Sequence, residues 1–294
     1  MNNQKIWFVF LLLLVVSSIL PNEGFAQKKE LEIRYFYLEA DQKSGDAILI
    51  ESPDGKTMLI DAGMEKTGSQ LDEYLKQLQI DQIDYVISTH PHHDHIGGFL
   101  TILDSREIGV LLMPDIQHST KIYLDFKNML MQKKINYKYV KEGDQFVLGE
   151  GVKVEVISPS KEALNKAEKA EDLSTADINN LSLVLKVTYQ DNTFLFTGDL
   201  YKKQEKALVE AKKELLNVDL LDAPHHGDAT SSSKQFINAV NPQYTIISAN
   251  ILQSKKIVER YKKSGSHVYA TSKHKNILIT SDGCEIHVRD VGGG

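Results

Sequence analysis

Among 294 residues there is one cysteine, Cys284, so no internal disulfide can staple this chain. Its stability has to come from a hydrophobic core and from any metal it binds, and Cys284 itself reads as a buried strand residue rather than a ligand. Internal repeats, low-complexity tracts and Pro/Gly-rich linkers are absent, which argues against repeat architectures and separable modules. No strong charge of one sign is present either. The formal net charge is −6 with 41% hydrophobic residues, a balance suited to a globular protein with a large core.

The one long apolar run is at the start. "MNNQKIWFVFLLLLVVSSILPNEGFAQKK" has a lysine, then an apolar run from Ile6 to Leu20, with Gly24 and Ala26 at the −3 and −1 positions of a cleavage after Ala26. This is a signal-peptide pattern, and the run is short for a membrane span. An uncleaved N-terminal anchor is the alternative, and in that case alone is a membrane partner expected. Either form places the remainder outside the cytoplasm, secreted or periplasmic. With no cysteine near that position, lipid attachment there is excluded. The expected organisation is a signal segment at 1–26 and one domain at 27–294.

Strand and helix signals alternate through that domain. "LEIRYFYLE" (31–39) alternates as a strand. "DAILIES" and "KTMLID" flank the turn signal "PDG" and read as a hairpin. "SQLDEYLKQLQ" puts Leu71, Tyr74, Leu75 and Leu78 at helical spacing, "IDYVIS" is a buried strand, and "HIGGFLTILD" opens a helix. Later come strands in "VKVEVIS", "LSLVLKVTY", "TFLFTGD", "VDLLDAP", "YTIIS", "HVYAT", "NILIT" and "CEIHVR". Helices fall at "YKKQEKALVEAKKEL", "SSSKQFINAV" and "SKKIVERYKK", with a surface helix and loop over Ser160 to Asn180. Two mixed sheets packed face to face with helices outside accommodate this order.

Chemistry concentrates in "DYVISTHPHHDHIGGF", where an apolar strand ends in His90-Pro91-His92-His93-Asp94-His95. On a loop leaving a strand, His90 and His92 can turn to one side while Asp94 and His95 face an adjacent point. Two divalent ions about 3.5–4 Å apart, the spacing of two-metal hydrolytic sites, fit such a set. Imidazole and carboxylate suit zinc, manganese or iron. Four histidines in six residues are not explained by solvation. His93 is expected to point away, and Gly97 and Gly98 to permit close packing of the next helix. "FLFTGDL" ends a strand at Asp199, where a carboxylate could bridge two metals. "LLDAPHHGDATSSS" ends another at His225-His226, one of which, His225 by preference, could complete the second metal.

Taken together, His90-x-His92-x-Asp94-His95-x-Gly97-Gly98, Gly198-Asp199 and His225-His226-Gly227 resemble the metallo-β-lactamase superfamily. "GDAILIESPDGKTMLIDAG" (45–63), "NNLSLVLKVTYQDNTFLFTGDL" (179–200) and "PHHGDATSSS" (224–233) are similar to the metal-hydrolase domain of the competence protein ComEC and its stand-alone relatives, over about 33–285. The resemblance implies an αββα sandwich with metals at the sheet edges. It assigns His90 and His92 to a first metal, Asp94, His95 and His225 to a second, and Asp199 as the bridge. Asp94 and Asp199 thus become the catalytic carboxylates, and Asp61 in "LIDAG" orients a ligand histidine. Two zinc or manganese ions are the implied cofactors.

The departures are specific. Many superfamily members have a third histidine between the first motif and the bridging aspartate, but here that interval holds only His118, which comes too early and reads as a surface or cap residue. Asn180, in "NNLSL", or a water is the expected occupant. "EADQKSGD" stands where a glycine-rich "DVGQGD" is usual, and "SANILQSKK" where a "YGHP"-like segment is usual. "ATSSS" could cap the following helix or hydrogen-bond a phosphate. The implied activity is hydrolysis of a phosphodiester-type substrate, a small molecule or a nucleic acid, with no stable protein partner. A lysine-rich cluster around 255–275 is either a nucleic-acid footprint or a solvated face. The alternatives are a non-phosphate ester or lactone hydrolase, and a non-catalytic metal-binding domain.

Overall fold

The computed structural model describes residues 30–41 and 45–292. The signal-segment reading of 1–26 lies outside them. Six strands come first: β1 (Leu31–Tyr35), β2 (Ile48–Glu51), β3 (Thr57–Ile60), β4 (Gln82–Ile87), β5 (Glu107–Met113) and β6 (Tyr137–Tyr139). Seven follow: β7 (Gln145–Val147), β8 (Val152–Ser158), β9 (Val184–Tyr189), β10 (Asn192–Phe196), β11 (Leu220–Asp222), β12 (Tyr244–Ile247) and β13 (His267–Ala270). The chain then returns with β14 (Ile277–Ser281) and β15 (Ile286–Asp290).

The two groups form separate sheets. One is eight-stranded in the order β15-β14-β1-β2-β3-β4-β5-β6, the other seven-stranded in the order β13-β12-β11-β10-β9-β8-β7. Each is mixed: β3 to β6 run parallel, as do β10 to β13, and the remaining pairs are antiparallel.

Side chains alternate across each strand with period two, so an apolar run feeds two layers at once. Met58 and Ile60 of β3 and Phe194 and Phe196 of β10 fill the core between the sheets. Leu59 and Leu195 point the other way, into the helix-covered faces. On the first sheet that cover includes Leu71 and Leu75 of the helix Gly68–Gln77 and Phe126 of the helix Lys121–Gln132. On the second it includes Leu208 of the helix Lys202–Leu216 and Tyr261 of the helix Lys255–Lys263. The result is the αββα sandwich, helices outside and sheets inside.

Three local expectations need amending. The alternating stretch 31–39 is a strand only to Tyr35; Phe36 and Leu38 turn under the helix layer instead. Ser160 to Asn180 holds two short helices, Lys161–Glu168 and Thr175–Asn179, the second started by a capping box between Ser174 and Asp177. Cys284 is exposed rather than buried. It sits in the reversal between β14 and β15, where Asp282 Oδ1 accepts the amides of Cys284 (2.8 Å) and Glu285 (2.9 Å).

In the parallel part of each sheet the strands end on the same side, so the loops that follow them converge. Asp61 and His90 follow β3 and β4, and Asp199 and His225 follow β10 and β11. One edge of the sandwich therefore collects all of these residues.

Candidate metal centre

The first motif is placed by β4 and shaped by one turn of helix. His92 is the N-cap of the helix His93–Ile96, and its carbonyl accepts the amides of His95 (3.0 Å) and Ile96 (3.1 Å). That turn swings His93 outward, its side chain 61% exposed, while His90 and His95 are fully buried. The segment after β3 packs directly on this loop: the Ala62 amide donates to the His95 carbonyl (2.9 Å), and the Gly98 amide to the Gly63 carbonyl (3.0 Å). A Cβ at Gly98 would stand 2.0 Å from the Ala62 oxygen, so glycine is required by that approach.

Two sets of ligand atoms converge here, each within a 4.8 Å span. One is His90, His92 and Asp199; the other is Asp46, His95, Asp199 and His226. Asp199 belongs to both and divides its oxygens. Oδ1 lies 3.3 Å from His95 Nε2 and 3.2 Å from His226 Nε2, whereas Oδ2 lies 3.8 Å from His90 Nε2 and 3.5 Å from His225 Nε2.

The donor chemistry fits divalent cations. Nε2 of His90, His95 and His226, Oδ1 of Asp199 and Oδ1 of Asp46 are all buried without a hydrogen-bond partner. Buried polar atoms are rarely left so, and five around one carboxylate make a cradle for cations rather than a packing defect. His and carboxylate donors suit zinc or manganese.

The other ring nitrogens fix the tautomers. Asp61, fully buried, accepts the Thr89 amide on Oδ1 (2.8 Å) and takes both the Thr89 hydroxyl (2.6 Å) and His95 Nδ1 (2.7 Å) on Oδ2. The Thr89 hydroxyl spends its proton on Asp61, so at 3.0 Å from His90 Nδ1 it accepts. His226 Nδ1 donates to the Ser248 carbonyl (2.8 Å). In His90, His95 and His226 alike, the Nδ1 proton is engaged away from the centre and Nε2 faces it, as metal-binding imidazoles require.

Electrostatics follow from burial and these neighbours. Burial and the nearby His95 push His90 well below its usual range, and burial likewise takes His92 down to about 4. Burial also opposes charge on His95 and His226. The carboxylates of Asp199 and Asp61 for the first, and of Asp199 and Asp46 for the second, outweigh it and hold both imidazoles well above 6.5. Burial would raise Asp199, but His95 and His226 keep it well below the ordinary carboxylate range.

A family model described as the metallo-beta-lactamase superfamily matches residues 40–249. The chain belongs to this superfamily. It is 29% identical over 213 residues to Recombination protein 2 of Haemophilus influenzae, covering 71% of this chain and 23% of that protein. It is also 29% identical over 176 residues to ComE operon protein 3 of Bacillus subtilis, covering 60% of this chain and 21% of that one. The chain thus spans less than a quarter of these relatives' lengths. Among solved structures, CmlA β-hydroxylase (E377D mutant) matches with a TM-score of 0.55 and 13% identity, covering 86% of this chain and 54% of that one. The metallo-beta-lactamase fold protein YhfI of Bacillus subtilis matches with 0.52 and 12%, covering 81% and 95%. These two show the fold. Metallo-β-lactamase superfamily proteins are generally metal-dependent hydrolases, and a buried His/Asp cluster is present here.

The remaining motif residues fall as follows. Asp94 is outside both ligand sets; its Oδ1 lies 3.8 Å from the exposed ring of His93. In the set that holds His95, the histidine from the pair is His226, while His225 stands on the other side of Asp199. Asn180 donates to the Ala176 carbonyl (2.7 Å) at the C-cap of its helix. His118 does bond Thr120, the N-cap of the helix Lys121–Gln132, but its ring also stands edge-on to His92 at 6.1 Å between centroids. It lines a groove of about 470 Å³ that also carries Asp115, Glu168, Glu171 and Asp172.

Asp46 was not singled out by sequence reasoning. It precedes β2, and the antiparallel β2–β3 register (Ile48 opposite Ile60) brings it beside the residues that follow β3, its carbonyl accepting the Gly63 amide at 2.8 Å. The signal was the "GD" of "KSGDAILIES", read there as a strand start. Asp222 is also buried beneath the centre, where burial and the charge of Asp46 raise its pKa well above the ordinary value.

Proposed function

We propose that this protein is a two-metal phosphodiester hydrolase acting outside the cytoplasm, with an anionic chain such as single-stranded nucleic acid as its substrate class. One observation carries the reading: a single buried carboxylate, Asp199, presents one oxygen to each of two histidine groups. Such sharing suits paired ions, and paired ions suit in-line displacement at phosphorus, where attacking and leaving oxygens both need stabilising.

His90, His92 and Asp199 would hold one zinc or manganese ion, and Asp46, His95, Asp199 and His226 the other. Ions so held supply Lewis acidity and bring the pKa of water down to around 7. Asp61, Thr89 and the Ser248 carbonyl keep the imidazoles in the binding tautomer. His118 and Tyr201, the latter with its ring 4.9 Å from that of His225, flank the ligands and are placed to contact substrate.

The nucleic-acid preference has two supports. Relatives named for recombination and for the ComE operon share the hydrolase-like region. A groove of about 570 Å³ is lined by Lys234, Lys255, Lys256, Arg260 and Lys263, with Glu259 as its one acidic residue. Such a stripe attracts phosphates in a salt-dependent way. The carboxylates along the groove beside His118 oppose approach of a polyanion from that side. Export rests on the signal-like N-terminal sequence.

The test is hydrolysis of bis-p-nitrophenyl phosphate and of single-stranded DNA with added Mn²⁺ or Zn²⁺, with His92→Ala and Asp199→Ala in parallel. Metal-dependent turnover lost in both variants is expected. Two bound ions with no turnover of either substrate would redirect the assignment to another ester or a lactone. Failure to bind metal would leave a non-catalytic domain.

A further inference from the structure

Resting on the two-metal reading, we infer that the adjacent histidines His225 and His226 serve different ions. His226 belongs to the site of His95 and Asp46, and His225 completes the site of His90 and His92. His225 thereby makes good the shortage of histidines between the first motif and Asp199.

The two ligand sets are unequal without it. The His95 set has four donors and the His90 set three. His225 Nε2 lies 3.5 Å from Asp199 Oδ2, the oxygen that also faces His90 Nε2 at 3.8 Å. His226 Nε2 lies 3.2 Å from Oδ1, the oxygen that faces His95 Nε2 at 3.3 Å. Each oxygen of the shared carboxylate is thus paired with one histidine from the first motif and one from the second.

The protonation of His225 is arranged as it is in His90. Its Nδ1 is 2.7 Å from Thr230 Oγ1, and that hydroxyl donates to Asp228 Oδ1 at 2.8 Å. With its proton spent on Asp228, Thr230 Oγ1 accepts from Nδ1, so Nε2 is the nitrogen that faces Asp199. The sequence Asp228–Thr230–His225 repeats Asp61–Thr89–His90: carboxylate, hydroxyl, imidazole. Such supporting bonds are typical of histidines that bind metal.

The backbone shows why neighbouring residues can diverge. His225 (φ 51°, ψ 46°) and His226 (φ 55°, ψ 26°) are both left-handed. That region is unfavourable for a side chain other than glycine, and two in succession need outside support. The His225 amide donates to the Gly198 carbonyl (3.0 Å), the Asp228 amide to the His225 carbonyl (2.9 Å), and Ser231 Oγ to the Pro224 carbonyl (2.6 Å). This turn keeps the ring centroids 5.9 Å apart, one on each side of Asp199. Backbone strain held in place at a cluster of ligands is the kind that function retains.

The experiment is Co²⁺ or Mn²⁺ stoichiometry and affinity by equilibrium dialysis with elemental analysis, which needs no turnover. His225→Asn is the informative variant because asparagine tolerates the left-handed backbone; circular dichroism confirms folding, and Thr230→Val provides a second perturbation that leaves the imidazole in place. Wild type should bind two ions. His225→Asn should weaken one ion at least tenfold and leave the other unchanged, and Thr230→Val should weaken the same ion to a lesser degree. Combined with His92→Ala, His225→Asn should still hold one ion tightly; combined with His95→Ala, it should hold neither. Two ions at unchanged affinity in His225→Asn, or one tight ion surviving in the His95→Ala combination, would overturn the assignment while leaving the two-metal reading intact. A wild-type chain that binds no ion would remove both.

Discussion

Asp61→Asn isolates how one buried carboxylate would control both proposed metal sites. The substitution preserves shape and removes only the charge and one acceptor. Oδ1 can still receive the Thr89 amide, which fixes the amide orientation and puts an NH₂ group where Oδ2 was. At 2.7 Å from His95 Nδ1 that group donates, so Nδ1 must become the acceptor and the proton moves to Nε2, the atom that faces Asp199. The Thr89 hydroxyl loses its acceptor at the same time and turns its proton to His90 Nδ1, 3.0 Å away, inverting the second imidazole. Loss of such supporting bonds costs 10–100-fold in metal affinity, about 1.4–2.7 kcal/mol per site. Fold stability should change less, because a neutral amide also relieves the burial that raises the Asp61 pKa. Competition against a chromophoric chelator measures affinity, and thermal melting of the metal-free chain measures stability. Two ions bound at wild-type affinity by Asp61→Asn would refute the tautomer argument. Weakening of the His95 site alone would refute the Thr89 part of it.

Three further outcomes follow from the same geometry. Gly98→Ala puts a methyl 2.0 Å from the Ala62 oxygen, so the backbone next to Asp61 must shift; a loss of about 1–3 kcal/mol is expected, and a melting temperature within a degree of wild type would contradict it. Metal affinity should rise with pH. His95 and His226 are held above 6.5 in the metal-free chain and must shed protons to bind, about tenfold in affinity per proton per pH unit; a flat profile between pH 6 and 8 would rule this out. The same raised values stabilise the metal-free fold below about pH 6.5, and that contribution fades as pH rises through the folded-state values. The lowered Asp199 acts in the opposite sense: its contribution is present above the ordinary carboxylate range and is lost as pH falls through its folded value. Melting of the chelated protein across pH 3–9 tests both signs.

Local order sufficed for much of this protein. The strands that carry ligands are short apolar runs closed by Gly, Pro or His, and in β3 and β10, buried on both faces, alternate residues feed the two core layers. The His90–His95 motif could be read because its donors are supplied by six consecutive residues, and Gly97-Gly98 because close packing needs glycine. Cys284 misled because "CEIHVR" is strand-like as a string, yet the reversal from β14 consumes its first residues. Strand β5 (Glu107–Met113) and the helix Lys121–Gln132 have no ligand or turn signature to mark them, though β5 is a strand of the first sheet and the helix packs against it.

The sequence by itself determined which chemistry the chain carries, since imidazole and carboxylate groups at strand ends are a property of composition and spacing. Only the tertiary structure decided how those groups are shared out. Asp46 reaches the centre through the register of the β2–β3 hairpin, across 15 residues of chain from Asp61. Its neighbour in space, His226, comes from the opposite sheet. His225 and His226 are indistinguishable as letters, and a left-handed turn held by Gly198, Pro224 and Ser231 sends them to opposite oxygens of Asp199. Direction in space is set by backbone dihedrals and by contacts between distant segments, and neither is carried by local spacing.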